Sequence, residues 1–279
     1  MGVQTAVAAP IQVSGIGVIT GQTVGVEILP AEPGHGIVFY IDGKSPIPAR
    51  LASVAHLDRG VTLANREGKT LSIVEHFLCA AAMAGLSDLK VSVTGAPEMP
   101  ILDGSAQDWL KLFARHFELQ RPKPSQALSG TVFYRHSDDI VLYALPDTHF
   151  KLSYSVDFDH PDLNGRWVRW DSQLDNPALI TTACTFGYVS ELPALQSRGL
   201  ALGASLENSL GLIEAGGYSR PLRHDDEPIY HKALDLIGDL SLSGINPLSL
   251  KAHVFAINAG HSSHVPFAKR LLKAVKTSG

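Results

Sequence analysis

Three short stretches place acid, base and metal-ligating side chains inside otherwise apolar sequence. In HKALDLIGDL (residues 231–240), His231, Asp235 and Asp239 fall four apart and so share one helix face, while Leu234, Ile237 and Leu240 supply packing beside them. In SIVEHFL (72–78), Glu75 and His76 are adjacent where a helix should begin. In NAGHSSH (258–264), His261 follows Gly260 at a strand-to-helix junction. His76, His231 and Asp235 make up the donor set of a catalytic zinc site, in which three protein ligands leave a fourth position open. Such an ion polarises a carbonyl and acidifies water. Glu75, beside a ligand, is placed to take the water's proton. His261, oriented by Asp239, can protonate a leaving amine. Each stretch also has a structural explanation. Ser72-x-x-Glu75 reads as a capping box. His231 and Asp235 can be an i,i+4 pair worth a few tenths of a kcal/mol, and His261 a surface residue at a helix end. H-x-x-x-D is common by chance, so spacing leaves both readings open. No H-E-x-x-H occurs, which argues against a zincin peptidase.

The elements that must hold these residues follow from pattern. IQVSGIGVIT, TVGVEILP and GIVFYID alternate apolar and polar residues between Gly and Pro, as antiparallel strands do. A helix over SIVEHFLCAAAMAGL, a strand DLKVSVTG and a helix over AQDWLKLFARHFEL follow. QRPKPSQ (120–126) is polar, carries two prolines and suits a linker. Beyond it, GTVFYRH, DIVLYALP, KLSYSVDF and RWVRWD read as strands and TFGYVSELPALQSRG as a helix. The HKALD helix, a strand LKAHVFAI and a helix from SHVPFAKRLLKAV complete the chain. Element order recurs without residue-level repetition. The expectation is an α+β protein of two domains, residues 1–122 and 127–279. The Gly15-x-Gly17 turn lies between strands and opens no helix, so it is no dinucleotide fingerprint.

Bulk properties narrow the function classes. The chain has 279 residues, enough for two compact units with filled cores. Hydrophobic residues make up 45% and charged residues 18%, as in a soluble globular protein. A net charge of -4 excludes a general nucleic-acid binder. Cys79 and Cys184 are the two cysteines and share no C-x-x-C, which suggests a reduced, cytoplasmic protein. The opening MGVQTAVAAP lacks a signal-peptide pattern, and Ala6 stands where a myristoylation signal needs Ser or Thr. The longest apolar run, FLCAAAMAG, is too short to span a bilayer.

Across nearly its whole length the chain resembles the bacterial UDP-3-O-acyl-N-acetylglucosamine deacetylases, the zinc amidases of lipid A synthesis. VSGIGVITG, AEPGHGIVF, SIVEHFLCAAAMAGLSDL, PEMPILDGSA, DFDHP, TFGY, RGLALGASLEN, HKALDLIGDL and AGHSSH carry the likeness in order. The resemblance implies two similar halves, each a β-sheet packed against two helices, with the active site between them. It implies one zinc ion per chain on His76, His231 and Asp235, with Glu75 as general base. His261 would be the catalytic histidine, supported by Asp239, and Thr185 would help hold the oxyanion. Phe186 and Lys232 would touch substrate, and Phe158 and His160 the nucleotide region. SRGLALGASLEN, with Gly203 and Ser205, would form the acyl-chain passage. The implied partner is a UDP-linked acylated amino sugar, bound by a monomer with no nucleic acid and no transmembrane segment.

The chain departs from the pattern near this site. Ile19 stands for a usual histidine, Tyr230 for an arginine, and Asn258 lies near a usual lysine. Losing two cations weakens recognition of a diphosphate. Two other readings therefore stay open: a diverged amidase for another N-acyl amine, and a non-catalytic binder on the same scaffold.

Overall fold

The computed structural model describes residues 10–119 and 122–276. The first nine residues, including Ala6, and Gln120 and Arg121 of the linker lie outside the described residues.

Two sheets repeat one plan. The first contains β1 (Ile11–Ile16), β2 (Thr23–Pro30), β3 (Ile37–Ile41), β4 (Ser45–Pro48) and β5 (Leu89–Gly95), in the spatial order β1-β2-β5-β3-β4. The second contains β6 (Val132–Arg135), β7 (Val141–Pro146), β8 (Lys151–Val156), β9 (Arg166–Asp171) and β10 (Leu250–Ile257), in the order β6-β7-β10-β8-β9. In both, the last strand of the half inserts between the two hairpins. That insertion makes one neighbour parallel: Phe39 stands beside Val91 and Leu152 beside Val254. Of the three segments expected as antiparallel strands, GIVFYID thus has a parallel neighbour on one side and an antiparallel one on the other. A parallel neighbour needs a long crossover, and the helices supply it.

Each sheet buries one face. Val24, Val26 and Ile28 of β2 alternate inward with Leu89, Val91 and Val93 of β5; Ala252, Val254 and Ala256 of β10 do so with Leu152, Tyr154 and Val156 of β8. Four longer helices pack on these faces: α1 (Glu75–Ala84), α2 (Gln107–His116), α3 (Glu227–Ser241) and α4 (His261–Ala274). α1 is apolar nearly all round and every residue but Met83 is buried, because α3 of the second half packs along it.

Two further expectations are corrected. TFGYVSELPALQSRG is not one helix: Phe186–Tyr188 pairs in parallel with Leu210–Leu212, and a short helix spans Leu192–Ser197. Pro193 sits in the first turn of that helix, where its missing N–H leaves no intrahelical bond unmade. The Ser72 capping box does not form either. Ser72 ends a short strand, Val74 occupies the cap position, and Glu75 turns its carboxylate to the backbone N–H of Val61 at 3.1 Å.

Candidate active site

Glu75 and His76 begin α1; His231 and Asp235 lie one turn apart on α3. What joins the pairs is a close helix approach at Gly238, where a Cβ would lie 2.2 Å from the Glu75 carbonyl oxygen. The turn before α1 is strained, because Ile73, a β-branched residue, sits at φ 60°. Gly60 faces this turn, and a Cβ there would meet Ile73 Cδ1 at 2.8 Å and Glu75 Oε1 at 2.9 Å. The Glu75 carboxylate thus has room only because its neighbour lacks a side chain.

Ligand atoms of His76, His231 and Asp235 all lie within 4.8 Å of one another, and all three residues are buried. Asp235 Oδ1 is 3.3 Å from His231 Nε2 and 3.9 Å from His76 Nε2. The two rings meet edge to face, 4.9 Å between centroids. His231 donates its Nδ1–H to the Ala183 carbonyl at 3.0 Å, which leaves Nε2 with its lone pair toward Asp235. His76 Nδ1 is buried with no hydrogen-bond partner among the described residues.

The electrostatics favour a cation here. Burial and the neighbouring His231 push His76 down to about 3. Burial likewise lowers His231, against the pull of Asp235. Both imidazoles are therefore neutral, the form that binds metal. Burial opposes the charge on Asp235, but His231, Lys232, His261 and His76 together hold it below the usual carboxylate range. An ionised carboxylate facing two neutral imidazole nitrogens fits a divalent metal ion. A second group, Asp239, His261 and His264, also lies within ligand spacing. Its facing atoms are 2.8 Å apart and hydrogen-bonded to one another, so it is a proton network.

Glu75 and His261 flank this group. His261 Nε2 is 4.0 Å from Glu75 Oε1 and 3.9 Å from Asp235 Oδ2, while its Nδ1–H donates to Asp239 at 2.8 Å. Burial pushes Glu75 up to about 7, opposed by His261 and reinforced by Asp239 and Asp235. Burial works against a charged His261, but Asp239, Asp235 and Glu75 raise it to about 9. An acid and a base with displaced affinities stand on either side of one point.

Glu75, His76, His231, Asp235 and His261 open on a cavity of about 700 Å³, while Asp239 and His264 lie behind its wall. Lys232, Thr185, Phe186 and Phe158 line the same cavity, and Lys232 Nζ reaches Asp235 Oδ2 at 3.2 Å. Val18, Ile19, Val189, Leu195, Leu200 and Leu206 give the cavity an apolar wall, and Asp58, Arg59 and Glu191 also line it. Ser205 is on this wall. Gly203 is not: a Cβ there would meet the Gly17 carbonyl oxygen at 2.2 Å, so it packs backbone on backbone. His160 also stands apart from the lining. It is buried, stacks on Tyr218 at 5.5 Å, and both ring nitrogens contact backbone at 3.2 Å. Of the departures, Ile19 faces the cavity, whereas Tyr230 packs on His224.

Several positioning residues carry no sign in the sequence pattern. Fully buried Glu227, at the start of α3, accepts from the backbone N–H of Cys184 at 3.0 Å and pairs with Arg220 at 3.0 Å. Arg223 ties Asp103 at 2.9 Å to the Thr182 carbonyl at 2.8 Å. Together they fix the 182–185 segment, whose Ala183 carbonyl holds His231 and whose Thr185 faces the cavity. Glu98 accepts from the N–H groups of Ile19 and Thr20, both at 2.9 Å, and shapes the turn that presents Ile19.

A buried His–His–Asp group beside a second carboxylate and a second histidine, in a deep cavity, is the arrangement of a metallohydrolase. The chain belongs to the LpxC family of UDP-3-O-acyl N-acetylglycosamine deacetylases, whose model matches residues 4–273. Among its relatives, the UDP-3-O-acyl-N-acetylglucosamine deacetylase of Trichormus variabilis is 34% identical over 96% of this chain and 98% of that protein. Its counterparts from Thermosynechococcus vestitus and Chlamydia muridarum are 35% and 36% identical, over 96% and 94% of this chain and 93% and 92% of theirs. Membership in a family of deacetylases makes the chain an amidohydrolase and sets aside the non-catalytic reading. Among the described residues, no helix is long and apolar enough to cross a membrane.

Proposed function

We propose that the chain removes the N-acetyl group of a UDP-3-O-acyl-N-acetylglucosamine, with one zinc ion held by His76, His231 and Asp235. The observation that carries this is one cavity whose lining joins Glu75 and His261, beside the candidate metal group, to an apolar set that includes Val18, Ile19, Leu195, Leu200 and Leu206. When bound, the ion supplies Lewis-acid activation of the acetamide carbonyl and of the attacking water. Glu75 takes a proton from that water as its oxygen bonds to the carbonyl carbon. Thr185 steadies the oxyanion with its hydroxyl. The C–N bond breaks as the nitrogen takes a proton from His261, which Asp239 keeps oriented; acetate and the free amine leave. Lys232, Phe186 and Phe158 hold the sugar end, and the Ile19–Leu206 wall takes the acyl chain. Residues 1–122 form the unit with the base and one ligand, and residues 127–279 the unit with the other two ligands and the acid. Both cysteines are free and buried, in keeping with a reducing cytoplasm.

The test is acetate release from that substrate before and after chelation, with zinc then restored. Chelator-sensitive release that zinc recovers is expected. A folded, zinc-loaded protein that releases no acetate overturns the substrate assignment.

A further inference from the structure

Asp239 is fully buried, and its two oxygens are used unequally. Oδ2 lies 2.8 Å from Nδ1 of His261 and 2.8 Å from Nδ1 of His264. Oδ1 has no hydrogen-bond partner among the described residues. A carboxylate only accepts, so both facing ring nitrogens carry their protons. His261 is thereby held with its Nδ1–H on Asp239 and its Nε2 toward Glu75 and Asp235.

His264 does something different. It lies one turn beyond His261 on α4, is fully buried, and does not line the cavity. Its Nε2 is 2.9 Å from the Tyr154 hydroxyl of β8, and that hydroxyl is 2.7 Å from the carbonyl of Ala259, two residues before His261. The contacts close a ring: Tyr154 to His264, His264 to Asp239, Asp239 to His261, and back along the backbone to Ala259. The terminal torsion of a carboxylate is soft. Held by His261 alone, with Oδ1 free, Asp239 can swing either oxygen toward the imidazole. A second donor, anchored at its far side by a strand, removes that freedom.

We propose that His264 is a positioning residue for His261: it pins Asp239 Oδ2, and through it the Nδ1–H hydrogen bond and the direction of the His261 ring. This rests on the reading of His261 as the proton donor to the leaving amine.

The test compares His264→Leu, His264→Gln, Tyr154→Phe and His261→Gln. Each is followed by steady-state kinetics, zinc content and NMR of ¹⁵N-labelled histidine. His264→Leu should lose about 10- to 100-fold in kcat, as a misdirected group does, with KM and zinc content unchanged. The downfield Nδ1–H proton signal of His261, held by Asp239 in the wild type, should weaken or move upfield. His264→Gln, whose amide again offers a donor and an acceptor, should recover most of both. Tyr154→Phe should show the same changes more weakly, and it carries the test if His264→Leu does not fold. Wild-type kcat in His264→Leu, or a loss of kcat with an unchanged His261 Nδ1–H signal, overturns the inference. His261→Gln separates the two levels. If it keeps full turnover, the proton-donor reading fails; if it is inactive while His264→Leu is not, only the role of His264 fails.

Discussion

The substitution Gly238→Ala asks whether the approach of α1 to α3 sets the active-site geometry. An alanine Cβ would stand 2.2 Å from the Glu75 carbonyl oxygen, 2.9 Å from its carbonyl carbon and 3.0 Å from its Cα. These are backbone atoms, so no rotamer relieves the clash. To reach the 3.4 Å of ordinary contact the helices must part by roughly 1.2 Å. Alanine favours a helix interior over glycine by about 1 kcal/mol, and overpacking costs about 1–3 kcal/mol. The net destabilisation is therefore about 0–2 kcal/mol, or a few degrees in Tm for a chain of this size. Catalysis should suffer far more. Glu75 and His76 ride on α1 while His231 and Asp235 ride on α3, so a shift of about 1 Å separates base and ligand from their partners, a displacement that can cost about 100-fold in rate. Acetate release, zinc content and a thermal melt on one preparation give the answer. The expected outcome is kcat/KM down by about two orders of magnitude with Tm nearly preserved. Wild-type turnover in a folded Gly238→Ala protein would falsify the claim that this contact sets the geometry.

Other perturbations separate the roles within the site. Glu75→Ala should keep fold and zinc and lose about 100- to 10,000-fold in kcat, the span of general acid–base catalysis; turnover near wild type would remove Glu75 as base. Asp235→Ala should lower zinc per chain, read by metal analysis after dialysis, and full occupancy would take Asp235 out of the ligand set. At the surface, the hydrogen bond from Lys151 holds Asp147 down to about 2 from its ordinary 3.8, despite some burial. A folded-state value below the unfolded one means stability that is whole above pH ~4 and fades as pH falls toward 2. Unfolding free energies from urea titrations of wild type and Lys151→Met should thus differ by no more than about 1 kcal/mol near neutrality and converge at low pH; a constant gap would refute the coupling.

Spacing along a single element is legible in the chain itself. His231, Asp235 and Asp239 share a helix face because the rise and turn of an α-helix are covalent and hydrogen-bond geometry, independent of neighbours. The long strands show themselves by alternation, since one face of each is buried. Pattern fails where a residue's partner is remote in the chain. Ser72 and Glu75 have capping-box spacing, yet Glu75 is drawn to Val61 and the cavity instead. Phe186 and Tyr188 take strand pairing from residues 210–212, which the local pattern does not contain. His160 sits in a motif that points to substrate, but its ring is spent on Gly217 and Asp162. His264 and Tyr154, 110 residues apart, carry no local sign of a shared hydrogen bond. Residue types and their order settle which side chains can do chemistry and which of them share a helix. That α1 meets α3 at a glycine is a property of the folded chain. Distances between elements depend on volumes and contacts contributed by both, and no stretch of sequence holds both sides of that contact.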